Sequence, residues 1–223
     1  MVKIYIIIVT KRVDNLDWVS VPGNVGSFNP SISAHGRYVA FQSIATNLVP
    51  DDTNGNIDPS FGTDIFVFDR DTDTIERVSR TDGGGQSNQA SETPSISGDG
   101  RYLAFQSYVS TLVTPDSNGD SDIFMKDLTA GELAMLSMNS ASIRGNMGSF
   151  FPSVPFDGRS IAFQSNADNL AASDINDATD IFVVGFEALG PSSIADIPQS
   201  DFSGDDSFGY GVNDEKGGVP PRQ

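Results

Sequence analysis

The stretch PSISAHGRYVAFQS at residues 30–43 returns as PSISGDGRYLAFQS at 94–107 and as PSVPFDGRSIAFQS at 152–165. Downstream of each copy the chain repeats itself again, in Asp64-Ile65-Phe66, Asp122-Ile123-Phe124 and Asp180-Ile181-Phe182. Pro30 and Pro94 lie 64 residues apart, Pro94 and Pro152 58. The six extra residues fall between Asp58 and Asp64, whereas Asp52, Asp116 and Asp174 all stand 22 residues after their proline. A period of this length marks an array of supersecondary units, each burying its apolar faces against its neighbours.

Each unit reads as four short strands: PSIS, RYVAFQS after a Gly-containing turn, DIFVFD, and TIERVS. Their β-branched and aromatic content, with Gly, Asn and Asp clustered between them, is that of strand and turn. Tyr38-Val39-Ala40-Phe41 is apolar on both faces, as a strand enclosed between two neighbouring sheets requires. Four-stranded sheets at this period are what a β-propeller stacks radially. A β-sandwich, the second choice, needs no such self-similarity.

The reading is therefore all-β: a propeller-type array of about three blades plus an N-terminal half blade, a partial propeller. The half blade and its loop take residues 1–29, with strands three and four at 4–9 and 16–20. Blade 1 takes 30–93, blade 2 takes 94–151, and an incomplete blade 3 takes 152–189. Residues 190–223, acidic and rich in Gly, Ser and Pro, read as a disordered tail. The apolar run at 4–9 is too short to span a bilayer. Lys11, Arg12 and Asp14 follow it without a small-residue cleavage site, so no signal peptide is recognisable.

The string SISxDGRYxAFQS with DIFVFD behind it resembles the TolB-like, WD-like β-propeller repeat family over residues 1–189. The resemblance implies propellers commonly of about six or seven blades, in periplasmic, secreted or surface proteins of bacteria. It implies roles as protein-binding platforms or as the non-catalytic propellers of peptidases. An extracytoplasmic location is the corresponding expectation here.

Composition narrows the chemistry. Thirty Asp and Glu against 13 Lys and Arg give a net charge of -17. That charge repels nucleic acid and anionic membrane, and favours divalent cations or basic partners. With no Cys and one His, thiolate sites, a Cys nucleophile and multi-His metal centres are excluded. His35 occupies the turn position held by Asp99 and Asp157, so it is a turn variant and completes no Ser-His-Asp set. Arg37, Arg101 and Arg159 recur once per blade and are expected to clamp it. Gln42, Gln106 and Gln164 are expected to satisfy interior hydrogen bonds. Trp18 reads as packing. Paired carboxylates for glycoside hydrolysis stay open, although most Asp fall in repeated loops.

One constellation could hold a ligand. Before strand three the chain runs Asp52-x-Asn54-x-Asn56-x-Asp58, Asp116-x-Asn118-x-Asp120-x-Asp122, and Asp174-x-Asn176-x-Ala178-x-Asp180. Alternating oxygen donors in a tight loop can converge on Ca²⁺, which takes six to eight oxygens. The spacing is not that of an EF-hand loop. The same residues also form Asx-turns without metal, with the last Asp bonding backbone at the strand start. Blade 2 offers the fullest donor set and blade 3 the poorest. The expected function is a non-enzymatic module giving a binding or scaffolding surface, with Ca²⁺ stiffening its loops. The alternative is an accessory propeller fragment of a secreted hydrolase or peptidase. Partners are expected to be a protein, or a further copy meeting the exposed blade edges.

Overall fold

The computed structural model describes residues 23–54, 62–81, 83–87, 89–113, 118–172, 174–176 and 178–185. The half blade at 1–22, Trp18, the insertion after Asp58 and the tail lie outside them. Eleven strands and no helix occur among the described residues. Blade 1 is the sheet β1 (Ser27–Ile32), β2 (Tyr38–Ser43), β3 (Asp64–Asp69) and β4 (Thr74–Arg77), in that spatial order. Blade 2 repeats it with β5 (Ser91–Ile96), β6 (Tyr102–Ser107), β7 (Asp122–Asp127) and β8 (Leu133–Met135). Blade 3 has β9 (Ser149–Ser153), β10 (Ser160–Ser165) and β11 (Asp180–Gly185), with β10 in the middle. Every pairing is antiparallel, so the meander is the one read from the repeat.

The register places like on like. Phe41 faces Phe66, Phe105 faces Phe124 and Phe163 faces Phe182 across the two central strands. Each pair stacks, with ring centroids 5.8, 5.9 and 5.9 Å apart. Offset aromatic pairs of this kind add stabilisation beyond the area they bury. A second motif ties the first strand of each sheet to the second. The hydroxyls of Ser27 and Ser43, Ser91 and Ser107, and Ser149 and Ser165 meet at 3.0, 2.8 and 2.9 Å.

The first strands differ from the sequence reading. They begin at Ser27, Ser91 and Ser149, upstream of the prolines, so the boundaries drawn at Pro30, Pro94 and Pro152 cut through a strand. The cause is a bulge. Asn29, Thr93 and Phe151, each just before its proline, have φ of 48°, 51° and 53°. A left-handed residue there shifts the register and turns one backbone N–H away from its own sheet.

The blades bury one another. Each has a trailing face toward the next blade and a leading face toward the one before. Ala40, Ile65 and Val67 on the trailing face of blade 1 pack on Leu103, Phe105 and Phe124 of blade 2. Ala104 and Ile123 of blade 2 pack in the same way on Ile161 and Phe163 of blade 3.

Candidate functional site

The acidic loops lead into β3, β7 and β11. Asp64 and Asp122, at the start of the third strands, are fully buried. Ser79 donates its hydroxyl to Asp64 Oδ1 at 2.6 Å, and Ser137 donates to Asp122 Oδ1 at the same distance. Each serine oxygen also accepts the next residue's amide, Ile65 N–H at 3.1 Å and Ile123 N–H at 3.2 Å. The Asp and Ser together fasten the third strand to the segment leaving the fourth. Asp180, in blade 3, has among the described residues Asn176 Nδ2 beside it, 3.4 Å from each carboxylate oxygen.

The asparagines of the same motif close turns. Asn118 Oδ1 accepts the N–H of Asp120 at 3.0 Å, and Asn176 Oδ1 accepts that of Ala178 at 2.9 Å. Both are Asx-turn geometry. Asn118 Nδ2 donates to the Gly145 carbonyl at 2.9 Å, and Asn54 Nδ2 to the matching Ser87 carbonyl at 3.4 Å. Asn56, Asp58 and Asp116 lie outside the described residues. Among those described, no three His, Asp or Glu side chains gather as a metal cage. Asp52 is buried, whereas Asp120 is exposed and Asp174 half-exposed.

Blade 1 holds a charged cluster that the sequence reading overlooked. Arg77 is buried, with Nη1 3.4 Å from Asp52 Oδ1 and 3.7 Å from Asp64 Oδ2. It donates to Gln86 Oε1 at 2.6 Å and to the Asp51 carbonyl at 3.3 Å. Gln86 Nε2 and the Ser87 hydroxyl donate in turn to Asp64, at 3.2 and 2.9 Å. Burial, and then the Asp64 charge, push the Asp52 carboxyl up to about 6, against the pull of Arg77. Burial raises Asp64 too, opposed by Ser79 and Arg77. The cluster thus buries two carboxylates around one cation. The signal was available: blade 2 has Met135 where the inward side of β4 carries Arg77.

The recurring arginines clamp blade corners in two blades of three. Arg37 donates to both oxygens of Asp69, at 3.0 and 2.8 Å, and Arg101 makes two bonds to Asp127, at 3.0 and 2.8 Å. The Arg37 hydrogen bond holds the Asp69 carboxyl down at about 2. Each guanidinium also lies over the adjacent tyrosine, Arg37 over Tyr38 and Arg101 over Tyr102. In blade 3 this corner is gone: Ser160 replaces the tyrosine and Gly185 the aspartate. Arg159 has no carboxylate partner among the described residues. His35 sits exposed in its turn.

The glutamines turn out to join blades rather than fill them. Gln42 Oε1 accepts Thr93 N–H at 2.8 Å, and Gln106 Oε1 accepts Phe151 N–H at 2.9 Å. The acceptor reaches from one blade to the bulge amide of the next. Three more bonds recur at each joint. Ile96 N–H reaches Ser31 Oγ at 3.1 Å and Val154 N–H reaches Ser95 Oγ at 3.0 Å. Ala34 N–H reaches the Gly98 carbonyl, and Gly98 N–H the Phe156 carbonyl, both at 2.9 Å. Ser91 N–H reaches the Thr63 carbonyl and Ser149 N–H the Ser121 carbonyl, both at 2.7 Å. Glycine turns seat a ring from the blade before. A Cβ on Gly158 would lie 2.6 Å from Tyr102, and one on Gly100 would overlap Tyr38.

Beyond blade 3 this joint surface is open. Ile181 and Val183, the counterparts of the buried Ile65 and Val67, are 72% and 67% exposed. Phe151 and Phe156, elsewhere in the third blade, are exposed as well. No helix among the described residues is long and apolar enough to cross a membrane.

No protein-family model matches the chain, and no curated protein matches it. Among solved structures it is similar to TolB from Acinetobacter baumannii, at 20% identity and a TM-score of 0.42, covering 73% of this chain and 30% of that one. It is similar to a putative TolB from Agrobacterium tumefaciens at 20% identity and a TM-score of 0.43, covering 73% and 46%. It is also similar to the tricorn protease, at 12% identity and 0.42, covering 74% and 14%. The chain thus spans less than half the length of each.

Proposed function

We propose that this chain is a non-enzymatic propeller-type module that offers a protein-binding or scaffolding surface in an extracytoplasmic setting. The observation that carries the reading is the open trailing face of blade 3, where Ile181 and Val183 lie in water while their counterparts in blades 1 and 2 are buried or half-buried. Contiguous apolar surface of this kind marks interaction sites. The polar residues that recur support it from the other side. Asp64, Asp122, Gln42, Gln106, Arg37 and Arg101 are all engaged in holding strands and blades together. None is left presenting a reactive group to a cleft.

A photo-crosslinking residue at Val183 tests the reading, with the exposed Glu132 position as its comparison. Cross-links to protein concentrated at 183 support it, and equal yields at both positions overturn it. Hydrolysis of peptide, ester or aryl-glycoside substrates above an Asp64→Asn control overturns its non-enzymatic part.

Calcium belongs to the same reading as a stiffener of the acidic loops, with Asp116, Asn118, Asp120 and Asp122 the fullest donor set. Against it, the Asn118 and Asn176 oxygens already close on backbone amides. Thermal melting with excess chelator and then with Ca²⁺ decides between turn and metal site. A raised midpoint in Ca²⁺ that is lost in Asp120→Ala supports the metal, since a ligand bound only by the folded state stabilises it. An unchanged midpoint leaves the loops as Asx-turns alone.

A further inference from the structure

Two kinds of exposure meet on β11, and they have different causes. Ile181 and Val183, on the trailing face, are open because no described blade follows. Phe182 is on the leading face, packed toward blade 2, and yet is only half-buried. Its counterparts Phe66 and Phe124 are fully buried. Blade 2 covers Phe182 much as blade 1 covers Phe124, so the difference arises at the edge of the sheet. β4 lies along the edge of β3, and β8 along that of β7, whereas β11 pairs with β10 alone among the described residues. Beside it runs a groove of about 370 Å³ lined by Asp174, Asn176, Asp180 and Phe182, with Ala171 and Ala172. In blade 1 the same place is filled from β4, where Arg77 stands near Asp52 and Asp64 and opposite Phe66.

The edge points its backbone outward. Ile65 offers its carbonyl to Val78 N–H, and Ile123 to Leu136 N–H, both at 2.7 Å. Ile181 holds that position in β11, and Val183, two residues on, turns the same way. An unpaired row of this kind is a template for one more strand. The chain carries a sequence that fits it. SIADI at 193–197 follows the pattern of TIERV at 74–78 and ELAML at 132–136. Ile194 matches Ile75 and Leu133, on the leading faces, and Ile197 matches Val78 and Leu136, on the trailing faces. The connection, 186–192, is three residues longer than 70–73 and includes the turn pair Gly190-Pro191. Pro198 then stands in the place of Ser79 and Ser137, and a proline favours extended backbone at the residue before it. The exchange fits Asp180, which has Asn176 Nδ2 beside it where Asp64 and Asp122 accept those serine hydroxyls.

We propose that residues 193–197 of this chain add to the free edge of β11 as the fourth strand of blade 3. The register of β3 with β4 then sets Val184 opposite Ile194, Val183 opposite Ala195 and Phe182 opposite Asp196. Ile197 N–H meets the Ile181 carbonyl, and Ile194 shields the half-buried Phe182 and Val184. Asp196 enters the groove in the place of Arg77 and meets Asp174 and Asp180, so like charge makes this strand weaker than β4. The side chains of Ile181 and Val183 stay open on the trailing face. The added strand is thus independent of the binding-surface reading, and cross-linking at position 183 does not report on it.

Hydrogen exchange on the full chain tests it through the amides of Ile181 and Val183. They are expected to exchange about tenfold faster in Ala195→Pro, which removes a strand N–H, with blades 1 and 2 unchanged. Asp196→Arg, which restores the arginine of blade 1, is expected to slow them. Amides indifferent to both changes overturn the proposal. So does protection that rises with concentration and survives Ala195→Pro, because the strand then comes from another molecule. The chain has no cysteine, so an introduced disulfide reads the register directly. Val184→Cys with Ile194→Cys is expected to close within one molecule about tenfold faster than Val184→Cys with Ala195→Cys, whose side chain turns to the other face. Equal rates mean an unpaired segment and overturn the proposal.

Discussion

Asp52 and Asp64 share the buried Arg77, and this sets how blade 1 answers pH. An unfolded Asp52 releases its proton near 3.8, whereas in the fold it holds the proton up to about 6. Between those values the folded state binds more protons, so rising pH lowers stability, and above 6 the whole cost is present. The Asp52 share is at most about 3 kcal/mol, with Asp64 acting in the same direction. Asp69 does not enter this window. Its carboxyl is held at about 2 by Arg37, so its contribution is lost only as pH falls below the usual carboxylate range. Urea melts at about pH 5 and about pH 7.5 are expected to show the wild type weaker at the higher value. Asp52→Asn is expected to flatten that slope, leaving the part due to Asp64. A steeper slope in the variant would contradict the account.

The turn between the first two strands of a blade is also the seat for its neighbour, and two glycines separate these duties. Gly100, in that turn, has φ of 78° and lies under Tyr38, whereas Gly119, in the loop before β7, has φ of 73° with nothing within 4 Å of an added Cβ. Gly119→Ala is expected to cost about 1 kcal/mol, the conformational part alone. Gly100→Ala adds the displaced ring and is expected to cost about 2–4 kcal/mol in the same urea melt. Equal losses would mean that Tyr38 moves aside freely. At this scale much was legible in the sequence. The repeat located the second and third strands, the Gly turn and the Asp at each third strand, because those jobs are done by side chains. The bulge left no trace, because its contribution is a backbone N–H. Asn29, Thr93 and Phe151 have nothing chemical in common, yet all take the same φ. The joining role of Gln42 and Gln106 was hidden for the same reason: their partners are amides. The acidic motif was legible as a pattern, but two of its asparagine oxygens hold backbone amides and its buried aspartates face serines.

Among the described strands each blade packs on the next, blade 1 on blade 2 and blade 2 on blade 3, so stability is a sum of blade terms and joint terms. Blade 2 is covered on both faces, whereas blade 3 is covered on one. The third strands show it: β7 begins with three buried residues in a row, while every second residue of β11 is exposed. Hydrogen exchange is expected to protect the amides of β6 and β7 most and those of β11 least, by about tenfold or more in rate. Uniform protection would mean that the blades unfold as one unit.

The hydrogen bonds of the joint ask very little of either neighbour: one glutamine, one serine, and otherwise main-chain atoms that any sequence carries. A blade copied in tandem by a duplication would bring both halves of that contract with it, and one deleted would leave its former neighbours able to meet. The gene is therefore free to lengthen or shorten in whole blades without redesigning what remains. The clamped Arg–Tyr–Asp corner, lost in blade 3, is where such an array can record which end is which.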